Sequence, residues 1–416
     1  MKSGPNSRGV TVVAVAAGMV VVCGAAGCES PSTRRPDRIV AEDAVDLPLA
    51  GASAEDLKIF RDGDALFDVT FGARDGLGPL FIRSNCSACH AEAGRGPGLV
   101  EKMAPVDPAV GGEPLPYGPT IRPYVTGTAT TPLVPPPDGW GQPLQRSRRL
   151  GPALWGRGYV EAVADAEIER LAAEQAARPD AIHGRINRVT YHSAAADDPG
   201  FQGHAAGDAG LIGRFGLKAR VATISDFTAD AFQGDMGITS PMRPTELVNP
   251  DGLTDDGKPG VDIDLDIVRD VAGYVRRIEI PRRDPALATS AARGLFEQAL
   301  CSTCHAPALR TRADYPVALL ADVDAPVYSD LLLHDMGDDL ADGVADEGAT
   351  GREWRTTPLI GLRFFGSYLH DARAHTIDEA ITMHAGPGSQ ANEAVSRYQA
   401  LPEAERAELL RFVSSL

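Results

Sequence analysis

Cys86-Ser87-Ala88-Cys89-His90 and Cys301-Ser302-Thr303-Cys304-His305 are the two stretches from which the rest of this chain is read. Each is C-x-x-C-H, the spacing at which a c-type haem is attached. Two thiols straddle one porphyrin edge, and the following imidazole sits beneath the ring within reach of the iron. The pattern therefore predicts two covalently bound haem c groups on Cys86, Cys89, Cys301 and Cys304, with His90 and His305 as iron ligands. The chain has six cysteines in all. The two outside the motifs, Cys23 and Cys28, lie near the N-terminus. A zinc cage would use both C-x-x-C pairs without needing the histidines. A thioredoxin-like site would want a βαβ context.

The N-terminus points to export. Lys2 and Arg8 precede an apolar run from Val10 to Val22, shorter than the roughly 20 residues that span a bilayer. This is a signal-peptide core. Ala25-Ala26-Gly27-Cys28 resembles a lipobox, so residues 1–27 are expected to be removed and Cys28 to carry lipid. The protein is then held on the periplasmic side of a bacterial membrane. The formal charge of −17 excludes nucleic acid as a natural partner. It favours a small basic redox donor, a cytochrome or a cupredoxin.

Composition and periodicity set the architecture. With 44 Gly and 32 Pro, long irregular connections are expected. A flexible tether is expected over 28–55, an N-terminal haem domain over 56–283, and a C-terminal one over 284–416. Residues 103–150 are Pro-rich and carry no helix, with a short strand expected around 119–126. Helices are expected over 264–279, 287–300 and 403–416, each with an apolar stripe. Leu80-Phe81 and Leu295-Phe296 stand at the same offset before their motifs, which suggests a duplicated haem-binding unit. The fold class expected is mainly α: two fused cytochrome-c-like domains with irregular and short β insertions.

A haem iron takes a second axial ligand or keeps an open face, and that choice separates electron transfer from small-molecule chemistry. Thr376 and Glu379 form a capping box opening a helix. Ile377, Ile381 and His384 then share one face, which carries His384 inward as a ligand candidate. Met336 is the runner-up, and Met383 is one residue away. For the first haem, Met236 leads, followed by His183, His192 and His204. Gly94-Arg95-Gly96-Pro97-Gly98 lets backbone approach the haem, with Arg95 available to a propionate or simply forming a turn.

Tyr368-Leu369-His370-Asp371-Ala372-Arg373-Ala374 and Thr376-Ile377-Asp378-Glu379-Ala380-Ile381, ending at His384, closely resemble the C-terminal end of the bacterial di-haem oxidoreductase family. That family was first described as thiol oxidoreductases and is related to di-haem cytochrome c peroxidases. Leu154-Trp155-Gly156-Arg157-Gly158, Gly213-Arg214-Phe215-Gly216, Asp235-Met236-Gly237-Ile238-Thr239 and Leu332-Leu333-His334-Asp335-Met336-Gly337 match as well. The resemblance covers about 55–416. It implies a reactive N-terminal haem that takes peroxide or another small oxidant, and a C-terminal haem that delivers electrons. It places the distal ligand of the delivering haem on His384, and it admits a calcium ion between the domains. Ala372 replaces the usual Gly, and Leu217 stands where a Trp between the haems is expected, leaving Trp140, Trp155 and Trp354 as substitutes. No residue is assigned as the distal acid. The enzyme reading has two alternatives: an electron carrier with both irons six-coordinate, and an oxidase of a partner protein.

Overall fold

A computed structural model describes residues 45–96, 98–106, 115–201, 203–255 and 257–416. The signal peptide, Cys28 and the tether as far as residue 44 lie outside the described residues. From Leu47 onward the chain is docked. Leu49 is buried in the core, its amide donates to the Arg277 carbonyl, and the Leu47 carbonyl accepts from Glu279. The stretch free to act as a tether therefore ends before residue 55.

Ten α-helices and five two-stranded antiparallel ladders are present among the described residues. Helix α1, Ala54–Phe67, opens on a capping box made by Ser53 and Asp56. Short α2 (Arg157–Ala162) and α3 (Asp165–Ala176) follow, then α4 (Ile224–Met236) and α5 (Leu265–Arg277). The second half holds α6 (Ser290–Gln298), α7 (Cys301–Cys304), α8 (Ile377–Thr382), α9 (Asn392–Ala400) and α10 (Glu403–Ser415). Helix is the principal regular element, but irregular chain exceeds it, so "mainly α" overstates the helix share. Glycine and proline interrupt the helical runs as their backbone preferences require.

Two apolar cores organise these elements. In the first, α1 lies across α5, with Phe60 and Phe67 packed on Tyr274 at ring separations of 5.1 and 5.3 Å. The crossing is close because Gly63 has no Cβ; one built there would stand 2.2 Å from the Asp270 carbonyl oxygen. The second core is a triangle of Phe296, Tyr328 and Phe412 between α6 and α10, with separations of 5.6–6.1 Å. The expected boundary at 283/284 falls between α5 and α6. Beyond it, however, Leu309, Tyr315, Val317, Leu320 and Val327 return to the first core. A buried polar knot holds that return in place. Arg276 pairs with Glu161 at 2.6 Å and with Asp197 at 2.8 Å, and Tyr315 donates to Glu161. The guanidinium at its side holds the Glu161 carboxyl below the usual range against the cost of burial.

The expected helices at 264–279 and 403–416 form within two residues of those limits. The one expected over 287–300 is broken. Pro285–Leu287 forms a single 3-10 turn, α6 follows, and Leu300 turns left-handed (φ 61°) before α7 starts at the second motif. The Pro-rich stretch carries no helix among its described residues. It holds strands Leu99–Pro105 and Leu144–Leu150, paired in register from Leu99↔Leu150 to Pro105↔Leu144. Only Tyr124–Val125 of 119–126 is a strand, and it pairs with Leu80–Phe81. The matched offset therefore gives the duplication no structural support: Leu80-Phe81 is extended, whereas Leu295-Phe296 is helical. No helix among the described residues is long and apolar enough to cross a membrane.

Candidate functional site

At the second motif, α7 is one turn of helix that brings Cys301 and Cys304 onto one side, and His305 caps it. His305 Nδ1 lies 3.0 Å from the Tyr328 carbonyl. Donation to that oxygen leaves Nε2 as the lone-pair nitrogen, the tautomer an iron ligand needs. His384 repeats the device, with Nδ1 2.6 Å from the Ala380 carbonyl. The capping box expected at Thr376 and Glu379 starts α8, and Ile377 and Ile381 pack on the second core. His305 and His384 line one cavity together with Cys301 and Cys304. Burial pushes His305 down to about 4 and lowers His384 as well, so both rings stay neutral at physiological pH.

Met336 lines the same cavity, where its strand bridges to Ser389. Met383 is 36% exposed on the outer face of its turn, which removes it as a ligand. The nearby His334 is committed elsewhere: Nε2 meets Asp330 at 2.9 Å and Nδ1 meets Gln390 at 3.0 Å. Cys304, Asp330 and His334 are the one set of metal-donor side chains brought together among the described residues. A thiol and an imidazole do not suit a hard calcium ion.

At the first motif the backbone is pressed hard against the residues that would hold the ring. A Cβ on Gly96 would fall 1.3 Å from the Cys89 carbonyl oxygen, and one on Gly151 would fall 3.1 Å from His90 Cε1. His90 is half-buried and pushed down to about 4, chiefly by desolvation. Its Nδ1 has no partner at hydrogen-bond geometry, although the backbone of Gly94 and of Pro152 acts on it in the stabilising sense. All four motif cysteines are free thiols. Burial pushes Cys86 and Cys301 up to about 12, so neither is a ready thiolate for disulfide exchange or zinc. Paired unbonded thiols, a neutral imidazole and a glycine-lined approach fit a covalently held haem at each motif.

Of the candidates named for the first haem, Met236 is 3% exposed and packed in the first core, because the apolar face of α4 must be buried there. His183 is exposed with Nδ1 on the Gln175 carbonyl, and His192 is exposed and pairs with Glu347. His204 packs on Tyr191 and its Nε2 has no hydrogen-bond partner.

Between the two motifs runs a wall that sequence reasoning did not assemble. Trp155 stacks on Phe365 (5.7 Å, 2° between planes) and donates Nε1 to the carbonyl of Glu92, two residues past His90. Leu217, Trp155 and Trp354 all line the cavity of the second motif. Trp140 packs on Tyr117 in the Pro-rich satellite. Trp354 is sandwiched by His370 at 3.9 Å and the Lys218 ammonium at 3.9 Å. Arg95 does not lie in a surface turn; it reaches back to the carbonyls of Ser367 and Leu369.

A family model described as "di-haem oxidoreductase, putative peroxidase" matches residues 142–416. The second C-x-x-C-H lies inside that stretch and the first precedes it. No curated protein matches the chain. A chain of hydrazine synthase from Kuenenia stuttgartiensis, solved under xenon pressure, aligns over 96% of this chain and 100% of its own, with 15% identity and a TM-score of 0.38. That likeness is too slight to carry a fold assignment.

Proposed function

The chain belongs to the di-haem oxidoreductase family, and from that premise we propose a c-type, peroxidase-like oxidoreductase anchored by lipid on Cys28 to the periplasmic side of a membrane. Cys86, Cys89, Cys301 and Cys304 hold the two haems as thioethers. When bound, the haems supply iron centres that exchange single electrons. His305 and His384 would hold the second iron, a ligand pair suited to relaying electrons from a cytochrome or cupredoxin. His90 would hold the first iron, which would then supply the chemistry on peroxide or another small oxidant. The stacked pair of Trp155 and Phe365 would shield the cavity at the second motif.

The asymmetry of the two histidine environments carries this reading. His305 and His384 share one cavity, each with Nδ1 tied to a carbonyl and Nε2 free, whereas among the candidates named for His90 Met236 is packed in the first core and His183 and His192 are exposed. The test is the holo-protein made in a host that matures c-type haem. Two haems per chain, a high-spin component in the ferric spectrum and peroxide turnover with a reduced cytochrome are expected. A wholly low-spin ferric protein that ignores peroxide overturns the enzyme reading in favour of an electron carrier.

A further inference from the structure

Three guanidinium groups line the cavity at the second motif, and no carboxylate side chain lines it with them. Arg95, Arg157 and Arg355 all line it. Arg157 is 7% exposed and Arg355 3%. Their hydrogen bonds within the chain go to main-chain carbonyls alone. Arg95 reaches Ser367 and Leu369, Arg157 Nε reaches Ala153 at 2.7 Å, and Arg355 reaches Gly216 and Thr356. These bonds aim each group and leave free N–H donors: both Nη atoms of Arg157 and Nη2 of Arg355 have no partner among the described residues. The nearest acid acting on Arg355 is Asp330, already bound to His334 and Gln175.

Burial depresses all three. Repulsion from Arg95 adds to this at Arg157, and repulsion from Arg157 adds to it at Arg355. A desolvated cation without a counter-charge is unfavourable. In a chain whose formal charge is −17, a cavity holding three cations and no paired anion is built for an anion brought from outside. The guanidinium fork matches a carboxylate with two parallel hydrogen bonds. The cluster shares its cavity with Cys301, Cys304 and His305 of the second motif. Its wall also reaches the first motif: Pro152 lines the cavity and follows Gly151, where a Cβ would stand 3.1 Å from His90 Cε1.

We propose that Arg95, Arg157 and Arg355 form one carboxylate clamp that receives a propionate from each haem and so places both irons in a single electrostatic environment. The proposal rests on the di-haem reading above. Each haem brings two propionates, on the porphyrin edge away from its thioether-forming vinyl groups. The clamp neutralises anions that would otherwise be buried beside the irons. It also makes the charge on one iron felt at the other.

The experiment uses holo-protein carrying Arg157→Gln, Arg355→Gln, or the matching Lys substitutions. Pyridine haemochrome assay first counts the haems; fewer than two per chain sinks the di-haem reading itself. With two haems present, removing either cation is expected to lower both midpoint potentials, because a lost positive charge favours the ferric over the ferrous state. The propionate bending bands in resonance Raman should shift as well. The Lys variants should keep near-native potentials and still show the Raman shift, since the charge remains and the fork is lost; they also decide the matter if a Gln variant fails to fold. Unmoved potentials and bands overturn the clamp, as does a shift confined to one haem. Stoichiometric binding of added acetate to wild-type holo-protein, lost in the Gln variants, also overturns it, because the cluster would then serve a free anion.

Discussion

His384 shows how little a residue's identity says without its hydrogen bonds. An inward histidine at a helix end is as often a satisfied core residue as a ligand. The Ala380 carbonyl decides the tautomer, and the shared cavity with His305 gives Nε2 somewhere to point. His384→Ala is expected to convert one haem from low to high spin, read in the ferric absorption and electron paramagnetic resonance spectra. An unchanged spectrum would move the ligand to Met336. Two further residues carry stability predictions. Glu161→Gln takes the charge from the main partner of the buried Arg276 and leaves Asp197 as its remaining anion. Breaking a buried pair costs about 3–5 kcal/mol, so a loss toward the lower end of that range is expected; urea unfolding that shows a loss under about 1 kcal/mol would refute the role. Because its folded pKa is depressed, the Glu161 contribution is present at neutral pH and is lost as pH falls through that lowered value. Asp46 has the opposite sign. Burial raises it to about 6, so the folded state binds the proton more tightly than the unfolded chain does. Its penalty is full above pH 6, declines as pH falls through 6 and is gone once pH drops below the ordinary carboxylate value. Asp46→Asn keeps an acceptor for Tyr274 and tolerates the positive φ. Its melting temperature should exceed wild type at pH 7.5, with the gap narrowing at pH 5 and closing only once pH falls below the ordinary carboxylate value.

At the scale of elements, the clearest successes were segments whose ends carry their own signals. The Thr376–Glu379 capping box was legible because both partners lie within one turn, and the helix it starts delivers His384. Thr376→Ala is expected to cost about 1 kcal/mol and to add a high-spin fraction to the ferric spectrum as α8 frays; a stability loss with no spectral change would separate α8 from iron ligation. The helix Leu265–Arg277 was equally plain from its stripe. Leu80-Phe81 was misjudged because a two-residue apolar pair has no period. Its strand partner, Tyr124–Val125, lies more than forty positions away, beyond any local signal. The break at Leu300 was missed for a related reason. A left-handed leucine is costly in isolation and persists only where surrounding packing sets the start of the second motif.

Across the whole molecule, the expected domain boundary holds along the chain but not in space. Residues 306–332 follow α7 yet cross to the first core, pulled by Tyr315 and the buried Glu161–Arg276 pair. The acidic surface makes a kinetic prediction for the proposed donor. Reduction by a basic cytochrome should slow as ionic strength rises past the range where the Debye length is about 10 Å. A salt-independent rate in stopped-flow measurements would mean that the net charge has no part in donor choice.

The sequence by itself supplied the proposed covalent chemistry. C-x-x-C-H is a local requirement of thiol and imidazole spacing, so two candidate haem sites and their candidate histidine ligands could be named from ten residues. It also determined the family, through contiguous motifs. Only the tertiary structure decided which groups meet. It placed His384 with His305, withdrew Met236 into the core, set Trp155 against Phe365, and gathered Arg95, Arg157 and Arg355 from three distant segments into one cavity without a carboxylate. Those outcomes turn on burial and on long-range pairing, which no local pattern of side chains encodes.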